Sequence, residues 1–150
     1  MYVAEIRRLA PRARHVTSVC TGSLLLGAAG LLKRKRAGCH WAWRDLLPIF
    51  GALPDHDRVV RDGKLITGGG VTAGIDMALT VLDDVMGRDF AEVVQLGIEY
   101  APAPPFDAGR PEHVRPAILA SARQRFEAVR ETREAAALRA AARIAQAVAP

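Results

Sequence analysis

The sequence predicts an α/β domain with a mostly parallel sheet. Short β-prone runs alternate with stretches of helical apolar spacing. A charge-free strand passes into a helix through Cys20-Thr21-Gly22-Ser23. Asp62-Gly63 joins two further β-prone runs, and an alanine- and arginine-rich helical segment ends the chain. With 150 residues, half of them apolar, the chain has the size of one domain, 1–150, with a helical extension over 117–149 within it.

The elements follow in order. Val3 to Ala10 has the spacing of a short amphipathic helix, ended by Pro11. Val16 to Val19 is a buried strand and Thr21 to Leu32 a helix. Ala37 to Trp41 is the next strand, and Trp43 to Ile49 a short helix with Pro48 near its end. Arg58 to Arg61 and Lys64 to Thr67 form a hairpin, for which Asp62-Gly63 favours a type I′ turn. Gly68-Gly69-Gly70 leads into a helix with Thr72 as N-cap and Ile75, Leu79, Leu82 and Val85 or Met86 as its stripe. Asp89 is placed to cap the following helix, whose apolar positions are Phe90, Val93, Val94 and Ile98. Five prolines and one glycine mark Tyr100 to Pro116 as a connecting loop. Over Ala117 to Ala149, Ile118, Ala122, Phe126 and Val129, then Leu138, Ala141, Ala145 and Val148, form a stripe. The charged break at Arg130 to Glu134 admits one long helix or two abutting ones.

Composition narrows the function classes. The net charge is +5, with arginines at 7, 8, 12 and 14 and a basic run from Lys33 to Arg36. These patches flank apolar segments and hold no aromatic residues to stack bases, so they read as solvated surface rather than a nucleic-acid interface. Two cysteines make no disulfide framework; without a secretory signal, a reducing cytoplasm with both thiols free is expected. Residues 16–32 carry no charge, but their hydroxyls and three glycines fit a strand followed by a helix rather than a membrane span. His15, His56 and His113 show no metal-ligand spacing.

The chemistry centres on Cys20. A cysteine between a strand and a helix can face the first helical N–H groups, which stabilise a thiolate. A packed, inert cysteine is the competing reading. Thr21 either contacts the sulfur or a catalytic water, or satisfies local backbone. Gly22 supplies a backbone donor or permits the turn. Gly68 to Gly70 is a weak phosphate-loop signal, because no Lys-Ser or Lys-Thr pair follows it. A plain strand-to-helix connection is its other reading. His40, twenty positions after Cys20 at the end of the next predicted strand, can converge on the same rim. Packing beside Trp41 is its structural alternative. Asp76 lies where a carboxylate favours a helix dipole. Trp41 and Trp43 either line a hydrophobic pocket or pack in the core.

Three segments together resemble the DJ-1/PfpI superfamily, and within it the isocyanide hydratase branch: Ser18-Val19-Cys20-Thr21-Gly22-Ser23, Gly38-Cys39-His40-Trp41, and Thr67 to Asp76. Glu99 to Phe106 looks like that branch's downstream loop. The first and third segments are shared with the amidase-like domains of AraC-type regulators; the proline loop favours the hydratase branch. The resemblance implies a flavodoxin-like, class I glutamine amidotransferase-like layered fold. It implies Cys20 as nucleophile with Thr21 beside it. Gly22, Gly69, Gly70 and Val71 become pocket walls and backbone donors, the Val71 N–H directed at the sulfur. His40 becomes a neighbour without a working triad. The implied reaction hydrates an isocyanide, a small electrophile, to an N-formamide with neither metal nor organic cofactor. The implied assembly is a homodimer.

The resemblance also implies that the fold is incomplete. Family members place βα units before the cysteine strand, whereas this chain begins one helix before Cys20. Glu5 is on the wrong element to be the family's early acidic residue. An N-terminally truncated sheet and weak or no turnover by this chain alone are therefore expected. Cys39 stands where the branch carries threonine, which adds a thiol able to resolve an oxidised Cys20. Three other readings stand beside hydration: a ligand-sensing module like the AraC-type domains, a cysteine redox or stress protein, and a glyoxalase or deglycase.

Overall fold

Residues 16–19 form β1 (Val16–Val19), whose hydrogen-bonded neighbour is distant in sequence. It pairs in parallel with β5 (Leu65–Gly68), and β5 pairs antiparallel with β4 (Val59–Asp62), giving the order β1-β5-β4. The sheet in this computed structural model, which describes residues 2–148, is thus mixed rather than mostly parallel. β2 (Arg36–Ala37) and β3 (Leu53–Pro54) make a separate two-stranded parallel pair. The helices are α1 (Tyr2–Leu9), α2 (Gly22–Ala28), α3 (Ala73–Met86), α4 (Arg88–Gly97) and α5 (Pro116–Val148). Two 3-10 segments, Ala10–Arg12 and Arg44–Phe50, complete the order.

β5 is buried at every position, covered on both faces. Ser18 faces α2, where its hydroxyl meets Ser23, while Val19 faces α3 beneath Gly74. The main core joins Leu26 and Leu32 to Ala37, Trp43, Leu46, Leu47 and Leu65. A Cβ on Gly27 would come within 3.0 Å of three atoms of the Phe50 ring, so only glycine lets α2 approach the 3-10 segment this closely. No helix among the described residues is long and apolar enough to cross a membrane.

Several sequence expectations need correction. α1 stops at Leu9, because Pro11 sits in the following 3-10 turn. α2 spans seven residues instead of running from Thr21 to Leu32. The chain leaves the helix at Gly30, with φ +77°, and Arg7 donates to the carbonyls of Ala29 (3.0 Å) and Ala28 (3.1 Å) at the helix end. The strand expected over Ala37 to Trp41 ends at Ala37. Side chains occupy the backbone of Gly38: Thr67 accepts its N–H and Ser23 donates to its carbonyl, leaving no ladder to extend. The helix expected over Trp43 to Ile49 is a 3-10 segment containing Pro48.

The hairpin is present, but its central residues are Gly63 and Lys64, since Asp62 pairs with Leu65. Gly63 alone has positive φ, the pattern of a type II′ turn rather than I′. Thr72 holds the N-cap position of α3 without a side-chain cap bond, because its hydroxyl accepts from Arg58. Gly87 rather than Asp89 precedes α4. α4 packs on α3 instead of the sheet, so Ala91 is buried while Phe90, Val93 and Ile98 remain exposed. α5 is one helix across the charged break. There Arg130 pairs with Asp45 and Arg133 lies 4.3 Å over the Trp43 ring, so these charges dock the helix instead of interrupting it. Val148 ends α5, and Ala149 lies outside the described residues.

Candidate functional site

Cys20 follows β1 directly and adopts φ +60°, in the left-handed region. A non-glycine residue there costs on the order of 1–3 kcal/mol unless its surroundings hold it. Both of its backbone groups are held: its N–H donates to Gly68 at 3.1 Å, and its carbonyl accepts from His40 N–H at 3.3 Å. The register β1–β5 sets Val19 opposite Gly68, so the cysteine turn and the triple glycine leave the sheet at one rim. Cys20 is half-buried. Thr21 occupies the N-cap position of α2 without a side-chain cap bond, and Gly22 lies beside Ser18, where a Cβ would meet the serine Cβ at 3.2 Å.

The glycine run leaves β5 at this rim. Gly69 N–H donates to Arg58 O at 2.9 Å, and Gly70 O accepts from Ala73 at 3.0 Å. Val71 follows with its side chain exposed. Among the described residues, the N–H groups of Gly22 and Val71 meet no acceptor. The start of α3 is anchored by a cluster that the sequence did not reveal. Arg58 pairs with Asp76 and donates to Thr72 Oγ1 at 3.2 Å, while Tyr100 donates to Asp76 Oδ1 at 3.0 Å. Asp76 thus does more than face a helix dipole. Tyr100 lay within the downstream loop segment, but Arg58 carried no signal beyond its place at a hairpin start.

His40 packs against Trp41 and Phe126, with centroids 5.5 and 5.6 Å away. A Cβ on Gly70 would lie 4.0 Å from its Cδ2, so the ring borders the glycine run. Its Nδ1 accepts the Ala42 N–H at 3.3 Å, which assigns the ring hydrogen to Nε2 in the neutral form. Burial, and then the charge of Arg133, lower its pKa and favour that neutral form. Among the described residues, His40 meets Cys20 through its backbone N–H and not through a side-chain hydrogen bond. Phe126 reaches this ring from α5, although its spacing had read only as a helix stripe.

Cys39 is 1% exposed. Burial, followed by the nearby charge of Cys20, pushes its thiol up to about 12. Trp43 is a core residue, whereas half-buried Trp41 lines an open cavity of about 410 Å³ with Phe126, Arg123 and Arg130. Cys20 does not line that cavity. Glu5 pairs with Arg8 on α1. Among the described residues, no three His, Cys, Asp or Glu side chains cluster as metal ligands.

The DJ-1/PfpI family model matches residues 1–84, more than half of the chain. The chain belongs to the DJ-1/PfpI family. It is 58% identical over 139 residues to an isonitrile hydratase of Pseudomonas putida, covering 93% of this chain and 61% of that protein. It is 33% identical over 93 residues to the HTH-type transcriptional regulator GlxA of Rhizobium meliloti, covering 59% of this chain and 28% of the regulator. A solved ThiJ/PfpI family protein from Pseudomonas syringae superposes with a TM-score of 0.83 at 41% identity, covering 93% of this chain and 56% of the other. The chain thus spans little more than half the length of these DJ-1/PfpI relatives. The α/β fold is that of the family.

Proposed function

We propose that Cys20 is the nucleophile of an isocyanide hydratase-like reaction. The observation that carries this is the half-buried sulfur at a positive-φ turn, clamped between Gly68 and His40 beside the triple glycine. The isonitrile hydratase relative supports the substrate class. Thiolate attack on the terminal carbon of R–N≡C, with one proton delivered to that carbon, gives the thioimidate R–N=CH–S–Cys20. Water adds to this carbon, the C–S bond breaks, and R–NH–CHO leaves with the thiolate regenerated. Overall, one isocyanide and one water give one formamide, with no change of oxidation state in the protein. Thr21, Gly22, Gly69, Gly70 and Val71 line the approach, and the free N–H groups of Gly22 and Val71 are its donors. Neutral His40 stands behind the glycine wall rather than acting as base.

Among the described residues no carboxylate bonds to Cys20 or His40, so weak turnover is expected from this chain alone. Formamide production from an alkyl isocyanide, followed by NMR, tests the reaction. Cys20→Ala should abolish it; undiminished turnover in that variant rejects the reading. In the same reading two copies associate, because α4 leaves Val93, Leu96 and Ile98 exposed. A monomer in sedimentation experiments would reject that part. A ligand-sensing role is the second reading, favoured by the similarity to GlxA. It predicts ligand binding that survives Cys20→Ala.

A further inference from the structure

Three hydroxyls lie buried beneath the cysteine turn: Ser18 is 8% exposed, and Ser23 and Thr67 are 0% exposed. Ser18 Oγ and Ser23 Oγ are 2.8 Å apart, and Ser23 Oγ donates to Gly38 O at 2.5 Å. Gly38 N–H donates to Thr67 Oγ1 at 2.8 Å, and Thr67 donates to Val60 O at 3.4 Å. A hydroxyl has one hydrogen. Ser23 gives its own to Gly38, so Ser18 is the donor to Ser23. Every hydrogen in the chain of bonds then has a direction: Ser18 to Ser23 to Gly38 O on one arm, and Gly38 N–H to Thr67 to Val60 O on the other.

The two arms pass through register partners, since Ser18 lies opposite Thr67, and they meet at one glycine. That glycine is pressed against the sheet, where a Cβ would meet Val60 Cγ2 at 3.3 Å and Thr67 O at 3.4 Å. Ser18 precedes Cys20 by two residues and Ser23 follows it by three, so the first arm bridges the cysteine turn. Gly38 precedes His40 by two residues, and His40 N–H holds the Cys20 carbonyl. Alanine and valine would fill the same volume without desolvating hydroxyls. What the hydroxyls add is direction: they fix the turn and the loop that clamps it in one arrangement.

We propose that Ser18, Ser23 and Thr67 are positioning residues that hold Cys20 in its left-handed conformation, and so set the accessibility and reactivity of its sulfur. This rests on the reading of Cys20 as the nucleophile. Among the described residues none of the three hydroxyls hydrogen-bonds the sulfur; each acts through the backbone of residues 20 and 38–40.

The test is alkylation of the native protein by iodoacetamide across a pH series, with Cys20 and Cys39 resolved by peptide mass spectrometry. Thr67→Val deletes the hydroxyl at constant shape, and Thr67→Ser keeps it. Thr67→Val is expected to slow Cys20 alkylation by about tenfold, the effect of one buried hydrogen bond, and to alter its pH profile. Thr67→Ser should return both to within about twofold of the parent. A Thr67→Val protein that melts at lower temperature but keeps the parent's rate and pH profile overturns the proposal, leaving the hydroxyls a purely structural role. Should Thr67→Val not fold, Ser18→Ala decides, because it removes only the first donor and orphans no backbone group. A parent-like rate there overturns the proposal, and a slower one supports it. Failure of native Cys20 in the parent to react at all would instead reject the nucleophile reading, and the positioning role with it.

Discussion

Cys20 and Cys39 lie on segments that meet at one backbone hydrogen bond, yet the fold covers them differently. Cys39 precedes His40, whose N–H holds the Cys20 carbonyl. Cys20 is half-buried on a strained turn, while Cys39 is sealed and its thiol is pushed up to about 12. The difference is one of backbone shape. A positive φ turns Cys20 out at the rim of the sheet, whereas the short β2 and the Gly38 contacts carry Cys39 beneath it. The exposure of each thiol is thus decided by which residue the sheet end leaves uncovered.

The largest test of this contrast is selective labelling. Iodoacetamide should modify Cys20 of the native protein at least about a hundredfold faster than Cys39, because attack requires an exposed thiolate. Comparable native rates, read by peptide mass spectrometry, would erase the distinction. A second test uses the core. Ile66 is 0% exposed at the centre of β5, and Ile66→Ala should cost about 2–5 kcal/mol in urea unfolding. Cys39 labelling, which requires opening of the fold, should then rise with the unfolded population and Cys20 labelling should rise far less. Parallel increases at both sites would place them in the same environment.

Cys20→Gly addresses the strain. Glycine adopts positive φ freely, so this variant should unfold at higher urea, by about 1 kcal/mol, while losing the thiol. A loss of stability would mean that the thiol contributes packing that outweighs the backbone conformation.

The smallest effects are in the pH dependence. Cys39 is held protonated in the fold, but the unfolded chain ionises it near its ordinary value of 9.0. Its contribution is complete below pH 9.0 and fades as pH rises toward about 12, a slope that Cys39→Ala should flatten. His40 has the opposite sign. Its folded pKa is lowered, so the unfolded state binds the proton more readily and stability falls as pH drops through the ordinary histidine value of 6.5. Acid unfolding curves of His40→Gln against the parent check this term.

Much of this was legible in local sequence. β1, the hairpin and the helix after the triple glycine were readable because each rests on adjacent residues: β-prone runs, a turn glycine, a 3.6-residue stripe. The cysteine turn was readable for the same reason. Other features depend on residues far apart in the chain. Nothing near Gly38 shows that Ser23 and Thr67 will take its backbone groups and end β2 at Ala37. Arg58 gave no sign that it would gather Asp76, Thr72 and Tyr100. The stripe of α4 foretold burial, but this helix rests on α3, and its Phe90 and Val93 face stays open.

By itself the sequence determined the family, the alternation of strand and helix, and the residue placed at the strand-to-helix turn. The alternation and the turn follow from propensity and spacing, which act over a few residues, and the family from the resemblance of its motif segments. Only the tertiary structure decided that β5 rather than β2 lies beside β1, that His40 turns its acceptor nitrogen to Ala42, and that one thiol is half-buried while the other is sealed. Each of those outcomes depends on hydrogen bonds and burial between segments that meet only when the chain folds.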